Sequence, residues 1–316
     1  NVVTQYLRAG LVEQHSIGQE MAKYPVYAGK LGLNYNDRVH SFGLLYDFKF
    51  NPSKTNGQSE TSRYGAYIPE EVLGNFFVAN RHNRQHLLSA YYSATLEKWK
   101  LTANIDALWQ INDRFTEENE RSSVNPLRNF NTMNKVGNRL LAGNLMATCA
   151  VWFGDLRFGM ETNGIHRTDR YAGNADYIAS NDNRIDETTT ALFVESDQKF
   201  GVVSAGVGLR WEYTDSKFYL FGRYSPEQSR IYHNFAPSLF VAFPMGTVKA
   251  NFAYTRKTSR PVFSQLSSAV KYIDRYTYET GNPNLRPIFR DNFSFSSSWK
   301  DLMVQLEYTS TKNYFM

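Results

Sequence analysis

A period-two alternation of side chains, recurring in pairs of segments, constrains this chain more than any other feature. From Trp99 to Ile111, one face carries Trp99, Leu101, Ala103, Ile105, Ala107, Trp109 and Ile111, and the other Lys100, Thr102, Asn104, Asp106, Leu108 and Gln110. Between Arg38 and Phe50, His40, Phe42, Leu44, Tyr46, Phe48 and Phe50 alternate with Val39, Ser41, Gly43, Leu45, Asp47 and Lys49. Successive strand side chains point to opposite faces, so this spacing makes strands with one apolar and one wet face.

The alternating segments come two by two, joined by short connections. Val26–Tyr35 and Arg38–Phe50 flank Asn36-Asp37; Gln85–Leu96 and Trp99–Ile111 flank Glu97-Lys98; Arg139–Phe153 and Leu156–Arg167 flank Gly154-Asp155. Thr188–Gln198 and Val202–Tyr213 flank Lys199-Phe200-Gly201, Ala236–Pro244 and Thr247–Arg256 flank Met245-Gly246, and Asn292–Trp299 and Leu302–Thr311 flank Lys300-Asp301. Connections of two or three residues are hairpin turns. Val2–Ala9 adds a candidate thirteenth strand. Between the hairpins lie polar spacers, 51–84, 112–138, 168–187, 214–235 and 257–291, read as long loops. Compact soluble domains rarely carry loops beyond about 15 residues. Tight turns at one end and long loops at the other is the layout of outer-membrane barrels. The competing architecture, a soluble β-sandwich with the aromatics in its core, calls for short loops at both ends.

Composition agrees. Aromatic residues make up 15% of the chain, with 21 Tyr, 22 Phe and 5 Trp, and flat rings favour the pleated surface of strands. Trp109 lies ten residues beyond Trp99 on the same face. Ten residues tilted about 45° climb roughly 23 Å, close to the ~25 Å apolar band between the aromatic girdles of a barrel. The longest uncharged runs, Leu140–Gly154 and Asn234–Val248, each contain Gly, Asn or Pro and fall short of the ~20 apolar residues of a spanning helix. The 35 basic and 30 acidic residues are interspersed, so the net charge of +5 gives no nucleic-acid-binding stripe. One cysteine, Cys149, excludes a disulfide framework.

One block has a more specific signature: Arg260-Pro261-Val-Phe263-Ser-Gln-Leu266, then Tyr272-Ile-Asp274, then Gly281-Asn282-Pro283-Asn284-Leu285-Arg286-Pro287. It resembles the barrel of TonB-dependent outer-membrane receptors, in particular the outer-membrane-protein β-barrel family. The resemblance implies an all-β, antiparallel transmembrane barrel embedded in outer-membrane lipid. The family's barrels close with about 22 strands, and 12 or 13 are visible here, so residues 1–316 are read as a single partial barrel domain. No stretch resembles the plug domain or TonB box of such receptors. The implied activity is energised uptake of an unidentified ligand in the bacterial outer membrane, with the TonB system acting through a plug not seen in this chain. A passive, structural or secretion-associated barrel is the alternative. Within the motif, Gly281-Asn282-Pro283 reads as a turn in which Gly supplies a positive φ and Pro fixes its own.

Candidate functional residues fall into two groups. Lys100, Asn104, Asp106, Gln110, Arg157, Glu161, Arg210 and Glu212 occupy wet-face positions and are expected to face the lumen. Tyr171, Tyr177, Tyr272, Tyr276 and Tyr278, like Tyr64, Tyr67, Phe76 and Phe77, lie in the spacers and could stack on a ligand or pack the loops together. Neither metal nor cofactor is expected. His82 and His86 are the only close histidine pair, and Asp182, Asn183, Asp186 and Glu187 form a cluster without EF-hand spacing. Neither a nucleophile elbow nor a metalloprotease or phosphate-binding motif occurs, so no enzymatic activity is expected.

Overall fold

A computed structural model describes residues 2–9, 12–65 and 67–313. These residues form one large antiparallel sheet in which strands follow each other in chain order. The strands are β1 (Val2–Ala9), β2 (Val12–Lys23), β3 (Tyr27–Asn36), β4 (His40–Gly65), β5 (Ile68–Leu96) and β6 (Trp99–Ser122). They continue with β7 (Arg128–Val151), β8 (Gly154–Gly173), β9 (Asn181–Phe200), β10 (Val203–Leu220), β11 (Arg223–Met245) and β12 (Val248–Ser259). A short segment then holds helix α1 (Phe263–Leu266) and a small hairpin of β13 (Lys271–Asp274) and β14 (Thr277–Glu279) before β15 (Ile288–Trp299) and β16 (Leu302–Lys312) complete the sheet. The architecture is that of a partial barrel: neighbours are sequential hairpins except that β2 pairs with β4 beyond β3, and β12 pairs with β15 across the intervening segment.

Strands β2 and β3 are one stave in two pieces. Both pair with β4, β2 with its far half from Lys54 to Gly65 and β3 with its near half from Ser41 to Phe50. The gap sets Pro25 on one side against Pro52 on the other. Proline has no N–H to give to the ladder, so the rungs lapse there and resume beyond.

Five tight connections sit at one end, and one, Phe221-Gly222, joins β10 to β11 at the other. Each of five turns begins with a residue at positive φ: Glu97, Trp152, Gly201, Gly246 and Lys300. That backbone suits the twist of two-residue hairpins. The turn assigned to Gly154-Asp155 in fact lies at Trp152-Phe153, so β7 ends and β8 begins two residues earlier. A Cβ on Gly154 would collide with the Asp197 carbonyl in the β8–β9 ladder, so this glycine serves close strand approach and not the turn.

Four of the five spacers are ladder and not irregular loop. β4 and β5 pair from His40↔Ala94 out to Gly65↔Ile68, and β6 and β7 from Trp99↔Cys149 out to Glu120↔Arg128. β9–β10 and β10–β11 likewise run through 181–235, so Asp182, Asn183, Asp186 and Glu187 belong to β9 and not to a loop. About 9–11 tilted residues cross a bilayer, so strands of 24 to 29 residues project well beyond it. Among the described residues, 260–287 form the longest excursion from the sheet, beside the shorter 123–127 and 174–180, and they fold back onto one of its faces.

The opposite face of the near half is apolar and open. Leu31 is 75% exposed, Leu141 61% and Ile105 58%, and Leu145, Leu192, Val207, Leu239 and Leu306 share that face. Aromatics bound it: Trp99, Phe153, Phe200 and Trp299 near the tight turns, and Trp109, Tyr254, Phe293 and Tyr308 further along. No helix among the described residues is long and apolar enough to cross a membrane.

Candidate functional site

The site is built where residues 260–287 meet the far half of the sheet. Glu120, near the end of β6, is 1% exposed and holds the β13–β14 hairpin. Its carboxylate accepts hydrogen bonds from the Tyr272 hydroxyl (2.8 Å), the Arg275 backbone N–H (3.0 Å) and Arg275 Nε (2.7 Å). Arg275 Nη2 donates to the Pro126 carbonyl at 2.8 Å, and Arg128 Nη1 donates to the Tyr272 hydroxyl at 3.0 Å. Burying an ion pair is costly unless its remaining polar atoms are satisfied, and here both partners are. Burial, helped by Glu120, pushes the Tyr272 hydroxyl well above the ordinary tyrosine range, so it stays a donor.

A second anchor is Glu71, buried at the start of β5. It accepts from Tyr276 (2.6 Å), Asn125 Nδ2 (2.8 Å) and Ser122 (2.5 Å), while the Arg63 guanidinium stacks on the Tyr276 ring at 3.9 Å. Burial alone would raise the Glu71 carboxyl, but these hydrogen bonds outweigh it and hold the group below its ordinary range. A third anchor is Arg260, which donates to Thr189 Oγ1 (3.1 Å) and Glu212 Oε2 (3.3 Å).

The motif residues between these anchors shape the segment. Gly281 N–H donates to the Ser267 carbonyl at 3.0 Å and Asn282 N–H to that of Gln265 at 2.6 Å. A Cβ on Gly281 would stand 2.5 Å and 2.6 Å from those same two oxygens. The requirement is close approach, since the positive-φ glycines among the described residues are Gly201, Gly222 and Gly246, which corrects the turn reading of Gly281. The Asn282 side chain accepts from Asn284 N–H at 2.9 Å, closing the turn. Pro261, Phe263, Pro283, Leu285 and Pro287 line a pocket against Ile185 and Phe218 of the wall. Asp274 accepts from Tyr276 N–H at 2.8 Å, and burial pushes its carboxyl upward.

The tyrosines divide. Tyr171, Tyr177, Tyr272 and Phe130 form one buried aromatic cluster, with Tyr272–Phe130 at 4.9 Å, Tyr272–Tyr177 at 5.5 Å and Tyr278 edge-on to Tyr272 at 5.5 Å. Tyr276 stands apart on Glu71. Sequence reasoning missed Glu120, Glu71, Arg128 and Arg275, which carry the anchoring. Their partners lie about 145 to 205 residues away in sequence, and no local pattern announces them.

Strand parity places all eight wet-face residues on the face that carries residues 260–287. Lys100, Asn104, Asp106 and Gln110 share the parity of Glu120 in a ladder without register shifts. Thr148 joins Lys100 to Arg157, Asn144 joins Asn104 to Glu161, and Ala191 joins Glu161 to Glu212. Several are bound together: Arg210 bridges Glu161 (2.6 Å) and Glu212 (2.8 Å), Asn104 donates to Asn144 at 3.0 Å, and Ser89 donates to Asp106 at 2.5 Å. Gln110 links Asn83 and Asn138, both at 3.1 Å. Arg157 pairs with Asp197 and with Glu195 at 3.4 Å, while Lys100 sits at the turn end of the row. Among the described residues no group of His, Cys, Asp and Glu is placed to hold a metal ion.

Residues 97–316 match the outer membrane protein beta-barrel family, well over half the chain. The chain belongs to this family. It is a β-barrel protein of the bacterial outer membrane, and its open apolar face is the surface such a barrel turns to lipid. Two solved structures share the fold. The copper transporter OprC superposes with a TM-score of 0.52 at 10% identity, over 94% of this chain and 48% of that one. The ferric citrate transporter FecA, in its unliganded form, gives 0.50 at 9% identity, over 94% and 48%. The chain thus spans about half the length of these structures, and identities this low carry the fold alone. No curated protein matches it as a sequence relative.

Proposed function

We propose that this family member is barrel wall of an energised outer-membrane importer of the TonB-dependent receptor type. The observation that carries the reading is residues 260–287: a long connection drawn back onto the wall by Glu120, Glu71 and Glu212, above a row of polar residues running to the turn end. A connection fixed against the wall gives a receptor a rigid surface that meets its ligand before the passage opens. In this reading Lys100, Asn104, Asp106, Gln110, Arg157, Glu161, Arg210 and Glu212 face the lumen, where their cross-strand ion pairs give a hydrated, stiff wall. Tyr171, Tyr177 and Tyr272 act through packing, and the exposed edges of Tyr276 and Tyr278 remain for ligand contact. Coupling to TonB would run through a plug domain, and the wall performs no bond chemistry.

The test is uptake in cells with and without the full-length protein, using labelled metal chelates, cobalamin and oligosaccharides, before and after a protonophore collapses the inner-membrane gradient. The proposal requires a solute whose entry depends on both the protein and the gradient. Entry that survives the protonophore would favour the passive barrel.

A further inference from the structure

Between the β13–β14 hairpin and the far half of the wall lies a cavity of about 1050 Å³. That is just above the ~300–1,000 Å³ range of small-molecule sites. Its lining differs from the aromatic cluster beside it. Ser16, Ser59 and Thr61 project hydroxyls from β2 and β4, and Thr116 and Thr132 from β6 and β7. The side-chain amides of Asn75 and Asn134 join them, and each has a carbonyl oxygen without a partner among the described residues.

Charge on this lining excludes one ligand class. The carboxylates are Glu20, Glu118, Glu120, Asp274 and Glu279, against Arg114 and Lys271. Glu120 is satisfied by Arg275, but the remainder still leaves no cationic clamp for an anionic chelate. Nor do the carboxylates converge on a cation: among the described residues no group of His, Cys, Asp and Glu is placed to hold a metal ion, and Glu120 is already paired with Arg275. Between these charged groups lies a dense field of uncharged donors and acceptors, from Ser16, Ser59, Thr61, Thr116, Thr132 and the two amides.

Phe77 and Tyr171 line this field from the wall, and Tyr171 is already packed into the aromatic cluster, which leaves Phe77. The Phe77 ring rests on Gly57 of the neighbouring strand, so closely that any Cβ at that position would overlap it. Glycine there leaves room for the ring against the neighbouring strand, and an aromatic ring on the lining can receive the weakly polarised C–H groups of a ligand. Hydroxyl and amide groups around a fixed ring match a molecule with hydroxyls on its rim and C–H bonds on its face.

We propose that the cavity under the β13–β14 hairpin is a binding site for an uncharged polyhydroxylated ligand of oligosaccharide size, with Phe77 as its stacking platform. The proposal names the ligand class of the importer described above and rests on that reading for its role in uptake, though not for the binding itself. The experiment is calorimetric titration of purified full-length protein in detergent micelles with maltohexaose, cellohexaose, xylohexaose, laminarihexaose and chitohexaose. Ferric citrate serves as the anionic probe and spermine as the cationic one. At least one oligosaccharide should bind saturably, Phe77→Ala should weaken it about tenfold or more with unchanged thermal unfolding, and Phe77→Trp should restore it. Failure of every oligosaccharide to bind, binding indifferent to Phe77→Ala, or displacement by ferric citrate or spermine would overturn the proposal. Because no membrane gradient enters this assay, its failure is separable from failure of the uptake test: saturable binding without energised uptake would sink only the importer.

Discussion

The two faces of β6 show how one strand serves two environments. Ile105 on the outer face is 58% exposed, whereas Glu120, fifteen residues on and facing inward, is 1% exposed and holds Tyr272 and Arg275. The outer face is generic: any apolar side chain there suits lipid, and neighbours are interchangeable. The inner face is specific, since each buried charge needs its own partner at hydrogen-bond distance. Damage to the first should therefore appear as failed membrane assembly, and damage to the second as a released segment in an assembled barrel.

Glu120→Ala should give the largest effect. It strips Arg275 of its buried carboxylate and Tyr272 of its acceptor, and breaking such a pair costs about 3–5 kcal/mol. The expected result is fast tryptic cleavage after Lys271 and Arg275 in barrels that still insert. If the variant failed to insert, inner and outer faces would not be separable, and the comparison would break.

Ala103→Arg and Asn104→Arg, adjacent in β6 and opposite in facing, sharpen the same comparison. Arginine on the lipid side near the midplane costs about 2–4 kcal/mol, while the wet side can hydrate it. Only Ala103→Arg should lower the yield of heat-resistant, folded barrel on unheated gels. Equal yields would remove the basis for assigning lipid to the odd-numbered face.

This division also governs what could be read from the sequence. The hairpins and their facing were legible because the near half contrasts apolar with polar at every step, as from Trp99 to Ile111. Beyond the bilayer both faces are wet, so the alternation fades, and segments such as 112–122 read as loop although they are paired strand. The turn at Trp152-Phe153 was displaced to Gly154 because glycine suggests turns, while here two exposed aromatics at the membrane edge make one and Trp152 takes φ 53°. The motif Arg260–Pro287 marked the right segment and one anchor, Arg260, but not Glu71 or Glu120, since pairs such as Glu71–Tyr276 are made only when the segment folds back across the sheet.

Gly281→Ala should act more weakly and only on the inner segment. The added methyl must displace the Gln265 or Ser267 carbonyl, and overpacking of this kind costs about 1–3 kcal/mol. Hydrogen exchange of 260–287 should accelerate with membrane assembly unaltered; an unchanged exchange rate would mean the tight approach is not needed.

The smallest effect expected is a pH dependence at Glu71. Its carboxyl is held below the ordinary glutamate range when the segment is docked, because Ser122, Tyr276 and Asn125 all donate to the ionised form. A depressed folded pKa contributes stability that is present above the unfolded pKa, about 4.3, and is lost as pH falls through the lower folded value. Hydrogen-exchange protection of Tyr276 and its neighbours, corrected for intrinsic rates, should thus stay level from neutral pH to about 5 and decline below about 4. Glu71→Gln keeps an acceptor but cannot titrate, so it should start from weaker protection and lose that step. The β6 outer face carries no such anchor, and its exchange should show no corresponding change. A decline of equal size on both faces would mean that acid loosens the whole sheet, and the docked segment would then have no titration of its own.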